Sequence, residues 1–305
     1  MKSLVCCVLG LVLGFLPRGP AVISRSRVFD VRSGRETYRI WIAQPRNPNA
    51  RGSPDTMIKR KPIAVYVLDG NWDFDEAVGA TRTMQWSTTP PLLIVGIGSP
   101  TDSLEKITDR RGYDLTPPSR VVSWEMKGVR TGGAEHLLSF IQHQLKPFVA
   151  AHYGVDPSHS MIVGHSLGGN LVLYALAAHP GMFDMYLATS PSLWYGGRQT
   201  IGLLSKALVG RRIPLKDRIY VAVGSLEGTN WTHIPQKAWE KAVKADGGTM
   251  ESGVLDVRSI FRRYPTELLH QHVQIVSGAN HHTVQGIAYS RGFPYLLDWA
   301  RHCTP

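Results

Sequence analysis

The clearest structural signal in the sequence is Met161-Ile162-Val163-Gly164-His165-Ser166-Leu167-Gly168-Gly169. It passes from a short apolar strand through a glycine-flanked serine, spaced G-x-S-x-G, into a helix. Flanking glycines let a strand bend sharply into a helix without a Cβ clash, which lifts the serine hydroxyl clear of the sheet. The helix N-terminus favours negative charge that develops beside it, and the amide of Leu167 becomes one donor to an oxyanion. The stretch therefore predicts that Ser166 is a nucleophile.

Six apolar runs predict the strands of a parallel sheet. Each run is continuous, as strands buried on both faces are. The runs are Ile63–Leu68, Leu92–Ile97, Met161–Val163, Met185–Ala188, Ile219–Val223 and Val273–Val276. Apolar residues at helical spacing predict crossover helices at 137–148 and 167–179, the second stopped by Pro180-Gly181. This alternation predicts the α/β fold class, with a doubly wound, mostly parallel sheet and helices on both faces.

Two segments depart from this order. Tyr38–Ala43 alternates with period two, which predicts a half-exposed edge strand. Residues 99–131 predict a long insertion, and a loop of that length in a compact domain is usually functional or mobile. No linker-like composition divides the remainder, so residues 25–305 are predicted to form a single domain.

Composition and charge narrow the classes of function. With 305 residues, of which 43% are hydrophobic and 19% charged, the chain can bury a large core and is not disordered. The net charge of +11 comes from basic residues placed mostly singly or in pairs, which argues against a nucleic-acid partner. The charge fits an attraction for anionic substrates as well as an ordinary solvated surface. Cys6, Cys7 and Cys303 supply neither a disulfide framework nor the spacing of a zinc site, and no metal is expected.

A leader is predicted at the N-terminus. Lys2 precedes an apolar run from Leu4 to Leu16, followed by Pro17-Arg18-Gly19-Pro20, which is the order of a secretory signal. The run is shorter than the roughly 20 residues that a spanning helix needs. Because no clear cleavage site follows, residues 1–24 are predicted to be either a signal peptide or an N-terminal membrane anchor. We expect an exported, periplasmic protein, with attachment to the inner membrane as the alternative.

The base and the acid that would serve Ser166 are expected later in the chain. Adjacent His281 and His282 follow the last strand run, in a loop before a terminal helix, and either is a candidate base. The acid that orients the base is expected after the fifth strand run, where Glu227 lies. Asp256 is the alternative acid.

The second oxyanion donor is expected directly after the run Ile63–Leu68, in the segment Asp69-Gly70-Asn71-Trp72. Gly70 permits the backbone to approach a ligand closely. The amide of Asn71 is the predicted donor. Trp72 is the next candidate and a predicted substrate contact, and Asp69 is predicted to brace the loop.

Together these segments resemble the putative-esterase family of α/β-hydrolases, and within it the exported siderophore (enterochelin and salmochelin) esterases. The resemblance spans nearly the whole chain from Val28 onward. It is carried, through order and spacing, by Tyr38–Trp41, Leu68–Asn71, Tyr113–Pro117, Arg130–Gly133, Gly164–Gly169 and Ser190-Pro191-Ser192-Leu193.

The resemblance implies roles for particular residues. Matching the family's histidine segment places the catalytic histidine on His281, with His282 where the family usually has glycine. Some exported members work with a Ser-His dyad, whereas Glu227 allows a full triad here. Arg130 matches a basic position near the substrate and is expected to contact anionic catecholates.

The predicted function is hydrolysis of an ester or lactone through an acyl-enzyme on Ser166, without a cofactor. The resemblance implies a small-molecule substrate, namely a catecholate trilactone siderophore of the enterobactin type, iron-free or ferric. Three alternatives stay open: a general carboxylesterase or feruloyl-type esterase, an acyltransferase, and a binding protein that has lost catalysis. The sequence does not predict the oligomeric state.

Overall fold

The structure is a computed structural model that describes residues 23, 26–44, 61–84, 90–121, 123–210, 213, 216–230, 233–264 and 269–298. Apart from Ile23, the predicted leader at 1–24 lies outside the described residues, so export and membrane attachment stay predictions. Within the described ranges, no helix combines the length and the apolar character that crossing a membrane requires.

In the described part of the chain, eight strands form one sheet. They are β1 Ser26–Ser33, β2 Glu36–Ala43, β3 Ile63–Val67, β4 Leu92–Gly98, β5 Ser160–His165, β6 Met185–Thr189, β7 Arg218–Gly224 and β8 His270–Val276. Their order is β1-β2-β4-β3-β5-β6-β7-β8. The pairs of β2 with β1 and β4 are antiparallel, and the remaining pairs are parallel. The six predicted apolar runs lie in the parallel strands, except that Leu68 follows the end of β3, and this confirms the predicted fold class.

Helices cover both faces of this sheet. They are α1 Gly70–Met84, α2 Leu104–Asp114, α3 Ala134–Phe140, α4 Lys146–Tyr153, α5 Leu167–Ala178, α6 Tyr195–Val209, α7 Gln236–Asp246, α8 Met250–Arg262 and α9 Val284–Leu297. Phe74 of α1 and Phe293 of α9 belong to the buried apolar cluster on one face. Leu171 of α5 belongs to the cluster on the other face. Successive strand residues point to opposite faces, so Val65 enters the first cluster and Tyr66 the second.

Two expectations about the outer parts of the fold are wrong. Tyr38–Ala43 is not an edge strand, because β1 pairs along the whole of β2 and forms the edge itself. Alternation shows that one face of a strand is partly solvated, and does not show whether another strand pairs alongside it. The insertion at 99–131 is not a bare loop, because it contains α2. That helix begins after Ser103, whose hydroxyl caps it by accepting a hydrogen bond from the amide of Lys106.

The sheet brings the candidate site residues to one edge. Parallel strands end at the same edge, where open α/β sheets bind their ligands. Asp69 follows β3, Ser166 follows β5, Ser190 follows β6, Glu227 follows β7 and His281 follows β8. Segments far apart in the chain therefore meet there.

Candidate active site

Ser166 lies on a sharp turn between β5 and α5. Its φ of 58° and ψ of −118° lie in a region that residues with side chains rarely adopt. A Cβ on Gly164 would lie 2.4 Å from the carbonyl carbon of Gly168, so the turn closes only because Gly164 lacks one. The Ser166 amide donates a hydrogen bond of 3.0 Å to the carbonyl of Thr189, which ties the turn to β6. The half-buried Ser166 side chain thus lies at the N-terminus of α5, where the sequence predicts it.

His281 and Glu227 are joined by a hydrogen bond. His281 Nδ1 lies 2.7 Å from Glu227 Oε2. The Glu227 side chain is fully buried, and its Oε1 accepts hydrogen bonds from the Gly224 amide at 2.8 Å and from Ser190 Oγ at 2.6 Å. A carboxylate held in this way keeps the imidazole proton on Nδ1, which leaves Nε2 to accept a proton. The pair has the chemistry of a general base and its orienting acid.

The structure separates the two candidate histidines and the two candidate acids. His281 contacts Glu227, whereas His282 is exposed and its amide donates to Asn280 Oδ1 at 3.0 Å. Asp256 lies on α8, where its half-exposed side chain pairs with Arg198. Geometry therefore favours His281 and Glu227 over their alternatives.

The segment predicted to supply the second oxyanion donor leads into the first turn of α1. Asp69 has a φ of 53°, and its carbonyl accepts hydrogen bonds from the amides of Trp72 and Asp73. The Asp69 carboxylate faces the turn of Ser166, because a Cβ on Gly168 would lie 3.6 Å from Asp69 Oδ2. The start of α1 therefore borders the turn that contains Ser166.

Asn71 is held at the start of α1 by its side chain. Asn71 Oδ1 accepts from the Ser99 amide at 2.7 Å, and Nδ2 donates to the carbonyls of Ser99 and Thr101 at 3.1 and 3.2 Å. The first amides of an α-helix have no acceptor within the helix, and they favour an anion. The backbone amide of Asn71 is such a group, which suits the donor role predicted for it.

Arg111 on α2 is a site residue that the sequence does not reveal. Its Nε and Nη2 donate to the two carboxylate oxygens of Asp69, at 3.0 and 2.9 Å. Its guanidinium lies 5.1 Å from the centre of the Trp72 ring, and Trp72 is 43% exposed. The ion pair holds Asp69 in place, which is the bracing function expected of that residue. No pattern in the sequence distinguishes Arg111 from its neighbour Arg110.

Arg130, the expected substrate contact, forms an ion pair with β2 and packs against an aromatic ring. Its Nη2 donates to Glu36 Oε1 at 2.9 Å, and its guanidinium lies 3.5 Å from the centre of the Tyr113 ring. Arg110 pairs with the other carboxylate oxygen of Glu36 at 2.6 Å. The structure thus places Arg130 in a half-exposed ion pair with β2, and the arginine beside the Ser166 turn is Arg111.

A neutral histidine lies against His281. The ring centre of His165 is 4.4 Å from that of His281. Burial lowers the pKa of His165 well below its usual range, and the nearby His281 and Arg111 lower it further. His165 is therefore uncharged at neutral pH, and it does not repel the imidazolium that forms when His281 takes a proton.

These groups together are those that acyl transfer requires: a hydroxyl nucleophile, a base oriented by an acid, and amides at two helix N-termini. Within the described residues, no group of three or more His, Cys, Asp or Glu side chains is placed to hold a metal ion. The fold and this arrangement define a serine hydrolase of the α/β-hydrolase class.

The family described as Putative esterase matches residues 50–252, more than half of the chain, and the chain belongs to that family. It is a carboxylic ester hydrolase. The predicted family is thereby confirmed.

Relatives and solved structures agree with this assignment. The chain is 29% identical over 300 residues to the siderophore triacetylfusarinine C esterase of Aspergillus fumigatus, covering 93% of this chain and 97% of that protein. It is 37% identical over 200 residues to the siderophore enterobactin esterase of Emericella nidulans, covering 61% of this chain and 64% of the relative. The solved siderophore hydrolase EstA from Aspergillus nidulans matches with a TM-score of 0.77 and 25% identity, over 94% of this chain and 98% of that one.

Proposed function

We propose that this chain hydrolyses the ester bonds of a siderophore through an acyl-enzyme on Ser166. The observation that carries the proposal is the 2.7 Å hydrogen bond between His281 Nδ1 and Glu227 Oε2, at the sheet edge where Ser166 precedes α5. The relatives support the substrate class, because both are named as siderophore esterases.

Acylation uses the groups described above. Ser166 Oγ attacks the carbonyl carbon of the ester while its proton passes to His281 Nε2. The amides of Leu167 and Asn71, each at a helix N-terminus, stabilise the charge that develops on the carbonyl oxygen. The imidazolium, stabilised by Glu227, then protonates the departing alcohol oxygen as the C–O bond breaks.

Deacylation repeats these steps with water. His281 takes a proton from the water whose oxygen attacks the acyl carbon, and returns it to Ser166 Oγ as the acid product leaves. A cyclic trilactone treated in this way opens first to a linear trimer, and later cycles release dimer and monomer. No step needs a cofactor.

The proposed substrate is a catecholate trilactone of the enterobactin type. The exposed indole of Trp72 offers an aromatic surface beside the oxyanion donors, on which a catechol ring can stack. The net charge of +11 favours an anionic ligand. Triacetylfusarinine C is the second candidate, because the relative named for it aligns over 93% of this chain.

Product analysis tests the proposal. The purified full chain is incubated with enterobactin, triacetylfusarinine C and p-nitrophenyl acetate at equal concentrations, and the products are separated by chromatography. We expect linear trimer, dimer and monomer of enterobactin in that order, and no products with Ser166→Ala. Turnover of p-nitrophenyl acetate alone would contradict a siderophore substrate. Products that carry an added alcohol would indicate acyl transfer, and hydrolysis by Ser166→Ala would contradict the nucleophile.

A further inference from the structure

The turn Ser190-Pro191-Ser192 follows β6 and has no part in the mechanism above. It lies between Ser166 and Glu227, because β6 separates β5, which leads to Ser166, from β7, which leads to Glu227. Ser190 is fully buried and Ser192 is 1% exposed. Burying a hydroxyl is costly unless it is hydrogen-bonded, so the partners of these two serines indicate what the turn does.

On one side the turn contacts the nucleophile. Ser192 Oγ lies 3.2 Å from Ser166 Oγ, and the Ser192 amide donates to the Ser166 carbonyl at 2.9 Å. A Cβ on Gly169 in α5 would lie 3.0 Å from the Cα of Pro191, so the turn and this helix are in direct contact. The Ser166 hydroxyl therefore has a neighbouring hydroxyl whose position is set by the backbone.

On the other side the turn contacts the acid. Ser190 Oγ donates to Glu227 Oε1 at 2.6 Å, and the Ser190 amide donates to the carbonyl of Ala222 on β7 at 2.7 Å. Ser190 has a φ of 42°, in the left-handed region that residues with side chains rarely adopt. Such a conformation persists only where the surroundings impose it. Here it accompanies a hydroxyl directed at Glu227.

We propose that this turn aligns the catalytic groups. Ser192 is a further catalytic residue that donates a hydrogen bond to Ser166 Oγ, and Ser190 is a positioning residue for Glu227. The inference rests on the proposed function, because it takes Ser166 as the nucleophile.

The valences of the Ser166 oxygen allow this role. During attack that oxygen gives its proton to His281 Nε2 and uses one lone pair to bond the carbonyl carbon. Its second lone pair accepts the Ser192 O–H, which stabilises the negative charge that develops on the oxygen and limits rotation of the Ser166 side chain. The Ser192 proton stays on Ser192, so the step needs no further acid or base.

The rate at which diisopropyl fluorophosphate phosphorylates Ser166 in the full chain tests Ser192. In that reaction the O–P bond forms, the P–F bond breaks, fluoride leaves and the serine proton passes to His281, so the rate reports on the nucleophile without any ester substrate. Ser192→Ala should lower this rate, and kcat for p-nitrophenyl acetate, about ten- to a hundredfold, the range expected for one hydrogen bond to a charged group. KM should change less than about twofold, since the hydrogen bond strengthens as charge develops.

Two further variants control this measurement. Ser192→Cys has a somewhat larger side chain that retains a weaker donor, so its rates should lie between those of the wild type and Ser192→Ala. Ser139→Ala removes an exposed hydroxyl on α3 and should change neither rate. Wild-type rates for Ser192→Ala would overturn the role of Ser192.

Ser190 is tested with a pair of variants that both remove its hydroxyl. Ser190→Gly tolerates the left-handed φ better than serine does, so it should keep the turn folded and Tm near the wild-type value. Ser190→Ala retains a side chain in that conformation. Both should lower kcat about tenfold with little change in KM, the loss expected for one hydrogen bond. Wild-type kcat in the glycine variant would overturn the positioning role.

Ser166→Ala separates a failure of this inference from a failure of the proposed function. If that variant still hydrolyses esters and still reacts with the fluorophosphate at the wild-type rate, the proposed function and the inference both fail. If it loses both activities while the Ser190 and Ser192 variants match the wild type, the proposed function stands and the inference is wrong.

Discussion

Replacing Glu227 with glutamine tests whether His281 works in a triad or without an acid. The side chain keeps its size and remains buried, and only one carboxylate oxygen becomes an NH2 group. Because Glu227 accepts hydrogen bonds at both oxygens, the outcome depends on which oxygen position receives the NH2.

The structure decides that orientation. The position of Oε1 faces the Gly224 amide at 2.8 Å and the Ser190 hydroxyl at 2.6 Å, and a backbone N–H can only donate. The amide oxygen of the glutamine therefore takes this position, and its NH2 faces His281 Nδ1. Nδ1 must then accept, which moves the imidazole proton to Nε2 and prevents that atom from taking the proton of Ser166. The wrong tautomer costs about 10⁴-fold in kcat in a serine triad, or about 5 kcal/mol of transition-state stabilisation.

The assay is kcat for p-nitrophenyl acetate at pH 7, with Tm measured in parallel. Glu227→Gln should lose about four orders of magnitude in kcat, because of the tautomer change, with a small change in Tm. Asp256→Asn is the matched control, because Asp256 forms a surface pair with Arg198, and its kcat should stay within about twofold of wild type. A loss of less than about tenfold for Glu227→Gln in a folded variant would refute the triad and show that His281 works in a dyad.

Three further substitutions test the catalytic base, the ion pair between Arg111 and Asp69, and the buried carboxyl group of Asp73. His281→Ala should lower kcat by several orders of magnitude and His282→Ala by less than about tenfold, and the reverse order would identify His282 as the base. Arg111→Gln should lower the free energy of unfolding in urea by about 3 kcal/mol, because it leaves the buried Asp69 carboxylate unpaired, and a loss below about 1 kcal/mol would contradict the bracing role. Burial, with a smaller effect of the Asp69 carboxylate, raises the pKa of Asp73 to about 8. The folded protein thus keeps a proton that the unfolded chain releases near pH 4, so stability falls as pH rises from about 4 to 8. Asp73→Asn removes this loss, so its Tm should exceed that of wild type by a few degrees at pH 8.5. The difference should shrink toward pH 4, and parallel Tm curves would show that folded Asp73 is ionised throughout.

The turn at Ser166 and the class of the fold are predictable from the sequence alone. The turn requires a strand, flanking glycines and the start of a helix. All three lie within residues 161–169, so a local sequence pattern is enough to predict the turn. The parallel strands were equally readable, because a strand covered by helices on both faces must be apolar on both. The edge strand of the sheet was not predictable in this way. The period-two pattern of β2 shows that one of its faces is partly solvated, and it does not show that β1 lies beside β2.

Which of several similar side chains meet in the site depends on the tertiary structure. His281 and His282 are adjacent residues of the same type, so the residues alone do not show which of them is the base. The path of their loop brings His281 to Glu227, which lies 54 residues earlier in the chain. Arg111 meets Asp69 across 42 residues, while Arg110 beside it turns to Glu36 and Asp114. Such pairings depend on the order of strands in the sheet and on the direction of each side chain. Both are set by the packing of the whole fold, and no local pattern of residues records them.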